Sequence, residues 1–289
     1  MTSSTSAIGA AIGRKARMVA LRVPRAVQRH APGADYAAHP PVLVNSVPKS
    51  GTHLLHAVAA SLPGVRDYHS FVASVPPVVH RPRTEAAITA RLRRIAPGEL
   101  LRGHLWHSAA AAEQLGRSNV VHLLVIRDPR DVIVSEAHYL AEMAPWHSLH
   151  RAFADRPHLG DRVTLAIEGL RSKGARWYPS VAQRLAPYLG WMAAPGVHTF
   201  RYEELIGEHR LDAVGRVVTA FASASEAPLD LEAVAARAAA AVDERRPHTF
   251  RKGGAGGWRS VFTPEHKDLF KLRAGDLLVA LGYEEDDLW

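Results

Sequence analysis

An apolar run that ends in a short loop of cationic and hydroxyl residues constrains the fold of this chain most. The run Val42–Ser46 has the length of a buried β-strand, and the loop after it, Pro-Lys-Ser-Gly-Thr at 48–52, leads into a stretch typical of an amphipathic helix. Such a junction directs backbone N–H groups and the positive end of the helix dipole to one place. Lys49 adds a mobile cation there, and Ser50 and Thr52 add hydroxyl donors. The junction is therefore predicted to bind a phosphate-like anion.

The order of residues in this loop differs from that of the loop that binds nucleotide triphosphates. The latter reads G-x-x-x-x-G-K-S/T, so its Lys follows the last Gly and precedes a hydroxyl for magnesium. Here Lys49 precedes Gly51, and no Gly lies four or five residues upstream of it. The pentapeptide alone leaves open an ordinary turn, in which Pro48 and Gly51 set the backbone angles and Lys49 is solvated.

A second strand is predicted at residues 121–126, and the residues that follow carry two Arg and two Asp. Arg127 falls at the carboxyl end of this strand, where doubly wound sheets place their ligands. An Asp-Pro pair marks a turn, Asp131 falls in the first turn of the next helix, and Ser135 falls about two turns into it. The alternative is a surface network of ion pairs, which would contribute little to stability.

A third segment that suits an anion lies late in the chain. Arg251 and Lys252 run into four glycines within the next five residues, so the backbone can follow an anion closely while Arg251 binds it with its forked donors. A flexible linker is the alternative. Trp258 and Phe262 argue against a linker, because a linker has little use for large apolar side chains.

Together, in this order and at these separations, the three segments resemble the sulfotransferases that use 3′-phosphoadenosine 5′-phosphosulfate (PAPS), in the branch of cytosolic and many bacterial small-molecule enzymes. That family shows P-K-S-G-T for the 5′-phosphosulfate, R-D/N-P-R/K-D-x-x-x-S for the 3′-phosphate and a late R-K-G-x-x-G-D/N-W-R/K loop over that same phosphate. The resemblance runs from about Pro41 to the C-terminus. It implies transfer of a sulfuryl group from PAPS to a hydroxyl, by in-line displacement, with release of 3′-phosphoadenosine 5′-phosphate (PAP).

The resemblance also implies roles for single residues. Lys49 is expected on the phosphosulfate bridge, where it stabilises the departing phosphate, and His104 in Leu-Arg-Gly-His-Leu is expected to be the general base. Arg102 falls where the family has an active-site Lys, while His53 and His107 compete with His104 for the base. The implied donor-binding residues are Lys49, Ser50, Gly51, Thr52, His53, Arg127, Ser135, Tyr202, Arg251, Lys252 and Gly253.

One further position matches the family, and three depart from it. Tyr202 matches a family Tyr that contacts adenine, although packing at the sheet edge is the alternative. Leu54 stands where the family has an aromatic that stacks on adenine, and Gly257 stands where the late loop has an acid. Pro264 interrupts the dimer segment of the family, so that dimer is not expected and the oligomeric state stays open.

The pattern of elements predicts one three-layer α/β domain over residues 40–289, with a central parallel sheet and helices on both faces. The predicted strands lie near residues 42–46, 100–104, 121–126 and 197–202, and the predicted helices near 54–62, 85–95, 130–143, 175–190 and 264–281. The stretches 70–83 and 142–161 lack periodicity. They are expected to be walls of the acceptor site, with ordinary surface loops as the alternative.

Residues 1–39 form a separate basic arm, in which no acid precedes Asp35. A mobile or partly helical arm is expected; a transit peptide and a helix on a membrane surface are the alternatives. The Ala and Arg bias continues through the chain, which favours a cytoplasmic, bacterial-type protein. The net charge of +8 suits a polyanionic donor, with a surplus that favours an acidic acceptor or a membrane surface.

Other classes of protein explain the sequence less well. A P-loop kinase is the alternative function, but it needs Lys after the Gly and a magnesium site. A nucleic-acid-binding protein is not expected, because the cations concentrate at strand ends. There are no cysteines, and the histidines show no H-E-x-x-H pattern, so no metal is expected. Which hydroxyl-bearing small molecule, sugar or lipid is the acceptor is not encoded in any motif.

Overall fold

The computed structural model describes residues 20–31, 34–170, 177–244 and 254–289. In these ranges five strands form one parallel sheet: β1 (Val42–Ser46), β2 (Arg66–Ala73), β3 (Glu99–His104), β4 (Val121–Ile126) and β5 (Val197–Arg201). Their order across the sheet is β2-β3-β1-β4-β5.

Helices cover both faces of this sheet. They are α1 (Arg22–His30), α2 (Thr52–Ala60), α3 (Glu85–Leu92), α4 (Ala109–Arg117), α5 (Pro129–His138), α6 (His150–Ala154), α7 (Leu159–Glu168), α8 (Val181–Leu189), α9 (Tyr202–Ile206), α10 (Arg210–Ala224), α11 (Leu231–Glu244) and α12 (Pro264–Ala280). A π-helix, Tyr139–Met143, continues α5, and a 3₁₀-helix, Gly257–Ser260, precedes α12.

Successive side chains of each strand point to opposite faces, so the sheet separates two cores. Leu43 and Leu101 pack into one core with α3, α4, α5, α7, α8 and α12. Val44 and Leu100 pack into the other with α2, α9, α10 and α11. The predicted three-layer α/β domain with a parallel sheet is confirmed.

Strand β2 is not among the predicted strands, and its position explains why. It is the edge strand, and its register is broken between Asp67 and Ser70. Two of its residues, Arg66 and Phe71, are exposed. The segment therefore carries no continuous apolar run of the kind that marks β1 and β4. The stretch 70–83, expected to be a wall of the acceptor site with a surface loop as the alternative, begins inside this strand, so its first four residues are not a loop.

Several helices also differ from the predicted ones. The predicted helix 130–143 is divided into α5 and the π-helix, and the stretch 142–161 contains α6 and the start of α7. Helices α4, α10 and α11 were not predicted. They are rich in Ala, and small side chains give a weak periodic pattern.

Helix α1 docks at the amino end of β3. The Arg25 guanidinium pairs with Glu99 at 2.7 Å and donates to the carbonyl oxygen of Arg94 at 2.8 Å. Arg66 donates to Gln28 at 3.2 Å. The boundary at residue 40 remains a prediction. Along the described ranges no helix is both long and apolar enough to cross a bilayer.

The strand order opens a crevice between β1 and β4. From β1 the chain crosses to β2 on one side, whereas from β4 it continues to β5 on the other side. The connections after two neighbouring strands thus diverge, and this is where open α/β sheets bind ligands. The loops after β1 and β4 carry the first two sequence motifs.

Candidate active site

The loop between β1 and α2 has a backbone that only a few residues allow. Lys49 and Gly51 both have positive φ angles, 70° and 95°. A Cβ at position 51 would overlap the ring of Tyr202, which packs directly on the loop, so Gly is required twice over. The hydroxyl oxygen of Ser50 is buried, and it has no hydrogen-bond partner among the described residues. An anion in the loop would supply that partner.

The ammonium group of Lys49 lies 4.0 Å from the centroid of the Tyr139 ring. Tyr139 is the first residue of the π-helix, an element frequently found at functional sites. Burial lowers the pKa of Lys49 to about 8, while Glu136 raises it and Arg127 lowers it. With this pKa, Lys49 is mostly protonated at neutral pH and loses its proton at mildly alkaline pH.

Arg127, at the end of β4, joins all three sequence motifs. Its guanidinium donates to the carbonyl oxygen of Lys49 at 3.3 Å and to that of Gly254 at 3.2 Å, and it lies 4.3 Å from the centroid of the Tyr202 ring. Its Nε is buried and lacks a hydrogen-bond partner within the described ranges. The two loops that border the crevice therefore each carry a buried donor without a described partner, on Ser50 after β1 and on Arg127 after β4.

Asp131 holds the late loop against α5. Its carboxylate accepts from the backbone N–H groups of Gly256 at 2.8 Å and Trp258 at 2.9 Å. It also lies 3.8 Å from the Arg127 guanidinium. Asp131 thus supports the loop, although position 257 is Gly where the family that the sequence resembles has an acidic residue. Arg251, Lys252 and Gly253, predicted to bind the donor, lie outside the described residues.

Arg130 shows that the second motif is not a surface network of ion pairs. It is 1% exposed and pairs with Asp128 at 2.8 Å and with Glu284 at 2.5 Å. Its guanidinium lies 3.9 Å from the ring centroid of Trp258 and 4.5 Å from that of Trp289. These contacts pair the charge of Arg130 inside the protein. They also hold the first turn of α5, on which Asp131 lies. The surface-network interpretation is therefore wrong.

His104, at the end of β3, has one ring nitrogen fixed by β1. Its Nδ1 lies 2.9 Å from the carbonyl oxygen of Ser46, which can only accept, so Nδ1 carries the hydrogen and donates it. The Ser46 hydroxyl lies 3.1 Å from the same nitrogen and 2.5 Å from the Thr52 hydroxyl. In this tautomer Nε2 has the lone pair and can accept a proton.

The electrostatic surroundings keep His104 neutral. Burial lowers its pKa to about 4; the bond to Ser46 raises it, and His53, Lys49 and Arg102 lower it. The exposed ring of Phe71 meets His104 edge-on, with 5.3 Å between centroids. At neutral pH the imidazole is therefore unprotonated, as a general base must be, although a pKa this low makes it a weaker base than an ordinary histidine.

The other predicted site residues lie around this centre. His53 is exposed on the first turn of α2, and Ser135 is half-buried one helical turn beyond Asp131. His107 instead packs edge-on against Trp191, with 4.9 Å between ring centroids. His107 is therefore a weaker candidate for the base than His104.

Two supporting residues were missed by the sequence analysis, and the partners of a third were not predicted. Asn45 bonds both backbone groups of Leu105, at 3.0 and 2.8 Å, and so fixes the end of β3 beside Ser46. Two polar residues at the end of an apolar strand were the available signal. Tyr139 carried no such signal, because its role depends on the π-turn. Asp131 belongs to the second motif, but its partner Gly256 lies 125 positions away and was not predicted.

Comparison with known proteins gives a consistent result. A family model described as a sulfotransferase domain matches residues 39–217. No curated protein matches the chain by sequence.

Within the described ranges, no three His, Asp or Glu side chains are grouped to hold a metal ion.

Solved structures resemble this one over most of their length. Mouse sulfotransferase SULT7A1 complexed with PAP has a TM-score of 0.56 at 18% identity, covering 86% of this chain and 89% of that one. Retinol dehydratase with androsterone and inactive cofactor PAP has a TM-score of 0.53 at 14% identity, covering 89% and 85%. Retinol dehydratase with retinol and PAP has a TM-score of 0.51 at 16% identity, covering 93% and 87%. At these identities the likeness establishes the fold.

Proposed function

The chain belongs to the sulfotransferase family, and on that premise we propose that it transfers a sulfuryl group from PAPS to a hydroxyl of a small-molecule, sugar or lipid acceptor. One observation carries the proposal. The groups that the reaction needs lie at the ends of three adjacent strands, β3, β1 and β4. They are the acceptor nitrogen of His104, the Lys49 ammonium and the Arg127 Nε, which has no partner among the described residues. Arg127 bonds the Lys49 carbonyl at 3.3 Å, and His104 bonds that of Ser46 at 2.9 Å.

The crevice between β1 and β4 fits the donor. The Ser50 hydroxyl and the Arg127 Nε have no partner in the part of the chain that the structure describes, and with the Lys49 ammonium they are the donors that a phosphosulfate or phosphate needs. Gly51 and Thr52 would add backbone N–H groups at the start of α2. PAPS supplies, when bound, a sulfuryl group on an activated phosphate leaving group. Arg251, Lys252 and Gly253 remain predicted ligands of the 3′-phosphate.

His104 and Lys49 divide the chemistry. Nε2 of His104 accepts the proton of the acceptor hydroxyl while the bond from sulfur to the acceptor oxygen forms. The bond from sulfur to the bridging phosphate oxygen breaks, and its electron pair stays on that oxygen, where the Lys49 ammonium stabilises it. The hydrogen bond from Nδ1 to Ser46 keeps the ring in the required tautomer.

Calorimetric titration with PAP in EDTA tests the donor site, and a parallel titration uses ATP with magnesium. We expect tight binding of PAP without metal and loss of most of it in Arg127→Ala. Arg117→Ala is the matched control, because Arg117 is exposed and pairs with Glu113 in the same helix. Binding of ATP with magnesium alone would contradict the proposal and favour a kinase.

A further inference from the structure

Arg102 is a cation of the candidate active site to which no described residue supplies a counterion. It lies on β3 two residues before His104, so both side chains leave the same face of the sheet. It is half-buried, its Nε is buried without a hydrogen-bond partner, and it forms no ion pair with any described residue. Arg130 and Arg184 each pair with a carboxylate instead.

The titratable side chains that sense the charge of Arg102 are two histidines. Burial and then Arg102 lower the pKa of His53, and Arg102 also contributes to the lowered pKa of His104. A buried guanidinium nitrogen without an acceptor is costly, and an anionic acceptor compensates it best. No described residue supplies that acceptor, so a bound ligand is the candidate source.

The position of Arg102 in the sheet indicates which ligand. The donor crevice lies between β1 and β4, whereas β3 lies on the other side of β1 and faces the edge strand β2. The register partner of Arg102 on β2 is Phe71, which is 45% exposed and contacts His104. Arg102 therefore lies next to Phe71 in the sheet, on the side of β1 that is away from β4.

We propose that the acceptor carries an anionic group, which Arg102 binds while its hydroxyl faces His104 and its apolar part lies on Phe71. This rests on the proposed sulfuryl transfer. A planar guanidinium binds a carboxylate or sulfate through two parallel hydrogen bonds, which also orients the ligand. The acceptor class is thus an amphiphilic alcohol or phenol with an acidic group.

A paired panel of acceptors tests the proposal. Six hydroxylated carboxylates, among them 4-hydroxyphenylacetate, are each compared with the corresponding primary amide, which has the same shape and no charge. Initial rates give kcat/KM for each member, and calorimetry on the PAP-loaded protein gives affinity for pairs without turnover. We expect at least one pair in which the acid is favoured about tenfold or more, mainly through KM.

The dependence on Arg102 decides the outcome. Arg102→Gln should remove the preference for the acid and Arg102→Lys should keep part of it, whereas the exposed Arg93→Gln should leave the acid-to-amide ratio unchanged. An equal loss for acid and amide in Arg102→Gln would overturn the proposal, and so would the absence of any Arg102-dependent preference in the panel. Either result leaves the proposed function standing if PAP still binds. If the unmutated protein did not bind PAP, that result would instead refute the proposed function itself.

Discussion

The two halves of the candidate active site are built differently. The donor half, at the ends of β1 and β4, consists of backbone in fixed conformations and buried polar groups that bond one another, such as Asp131 with Gly256 and Trp258. The acceptor half, at the ends of β2 and β3, consists of Arg102 and Phe71 with few internal contacts. If the proposed function holds, an invariant donor suits the rigid half, and the acceptor is selected by Phe71 on the edge strand β2 and Arg102 on the neighbouring strand β3.

The largest effect that separates the halves is expected for His104→Ala. Turnover should fall by about 10³-fold, because the variant lacks the proposed general base, while PAP affinity should stay within about twofold. Rates and calorimetry on the same preparation measure both. His107→Ala, which alters a ring packed on Trp191, is the control. Retention of most activity by His104→Ala would remove the base assignment.

Arg127→Ala should affect the donor half next most strongly. Loss of a charged donor that spans the Lys49 and Gly254 carbonyls should weaken PAP binding about 100-fold. Arg102→Gln, in the acceptor half, should change PAP affinity by less than about threefold. Calorimetry distinguishes the two variants. Equal losses in both would mean that the halves are not separate.

A smaller effect is expected for Asp131→Ala, which leaves the N–H groups of Gly256 and Trp258 without their acceptor. PAP binding should weaken about tenfold, and the free energy of unfolding should fall by about 2–3 kcal/mol. Denaturant titration and calorimetry measure these changes. Asp161→Ala, on an exposed first turn of α7, is the control. Unchanged PAP affinity would show that this loop does not act on the donor site.

The smallest effect concerns protonation of Lys49. With its pKa lowered to about 8, Lys49 is mostly charged at pH 7 and mostly neutral at pH 9. Bound anions favour the charged form and raise this pKa, so PAP binding at pH 8 should take up about half a proton and weaken as the pH rises. Calorimetry in buffers of different ionisation enthalpy measures the uptake. Lys49→Arg, which stays charged, should show almost none.

The same difference between the halves explains what the sequence could predict. The donor loops were readable because positive φ angles, N–H donors and cations require particular residues, such as Gly51 and Arg127. The buried strands β1 and β4 were readable from their apolar runs. Strand β2 was not, because an edge strand with a bulge loses that pattern. The partners of Lys49 and Asp131 were unreadable, since they depend on a π-turn and on contacts distant in sequence.

The contacts of Arg130 have a consequence for the order of folding. One of its carboxylate partners, Glu284, lies 154 positions later in the chain, and its aromatic neighbours Trp258 and Trp289 are also late. Closing such long loops costs chain entropy before any contact compensates it. The donor half is therefore expected to be among the last regions to form, although it is the more rigid one in the finished molecule.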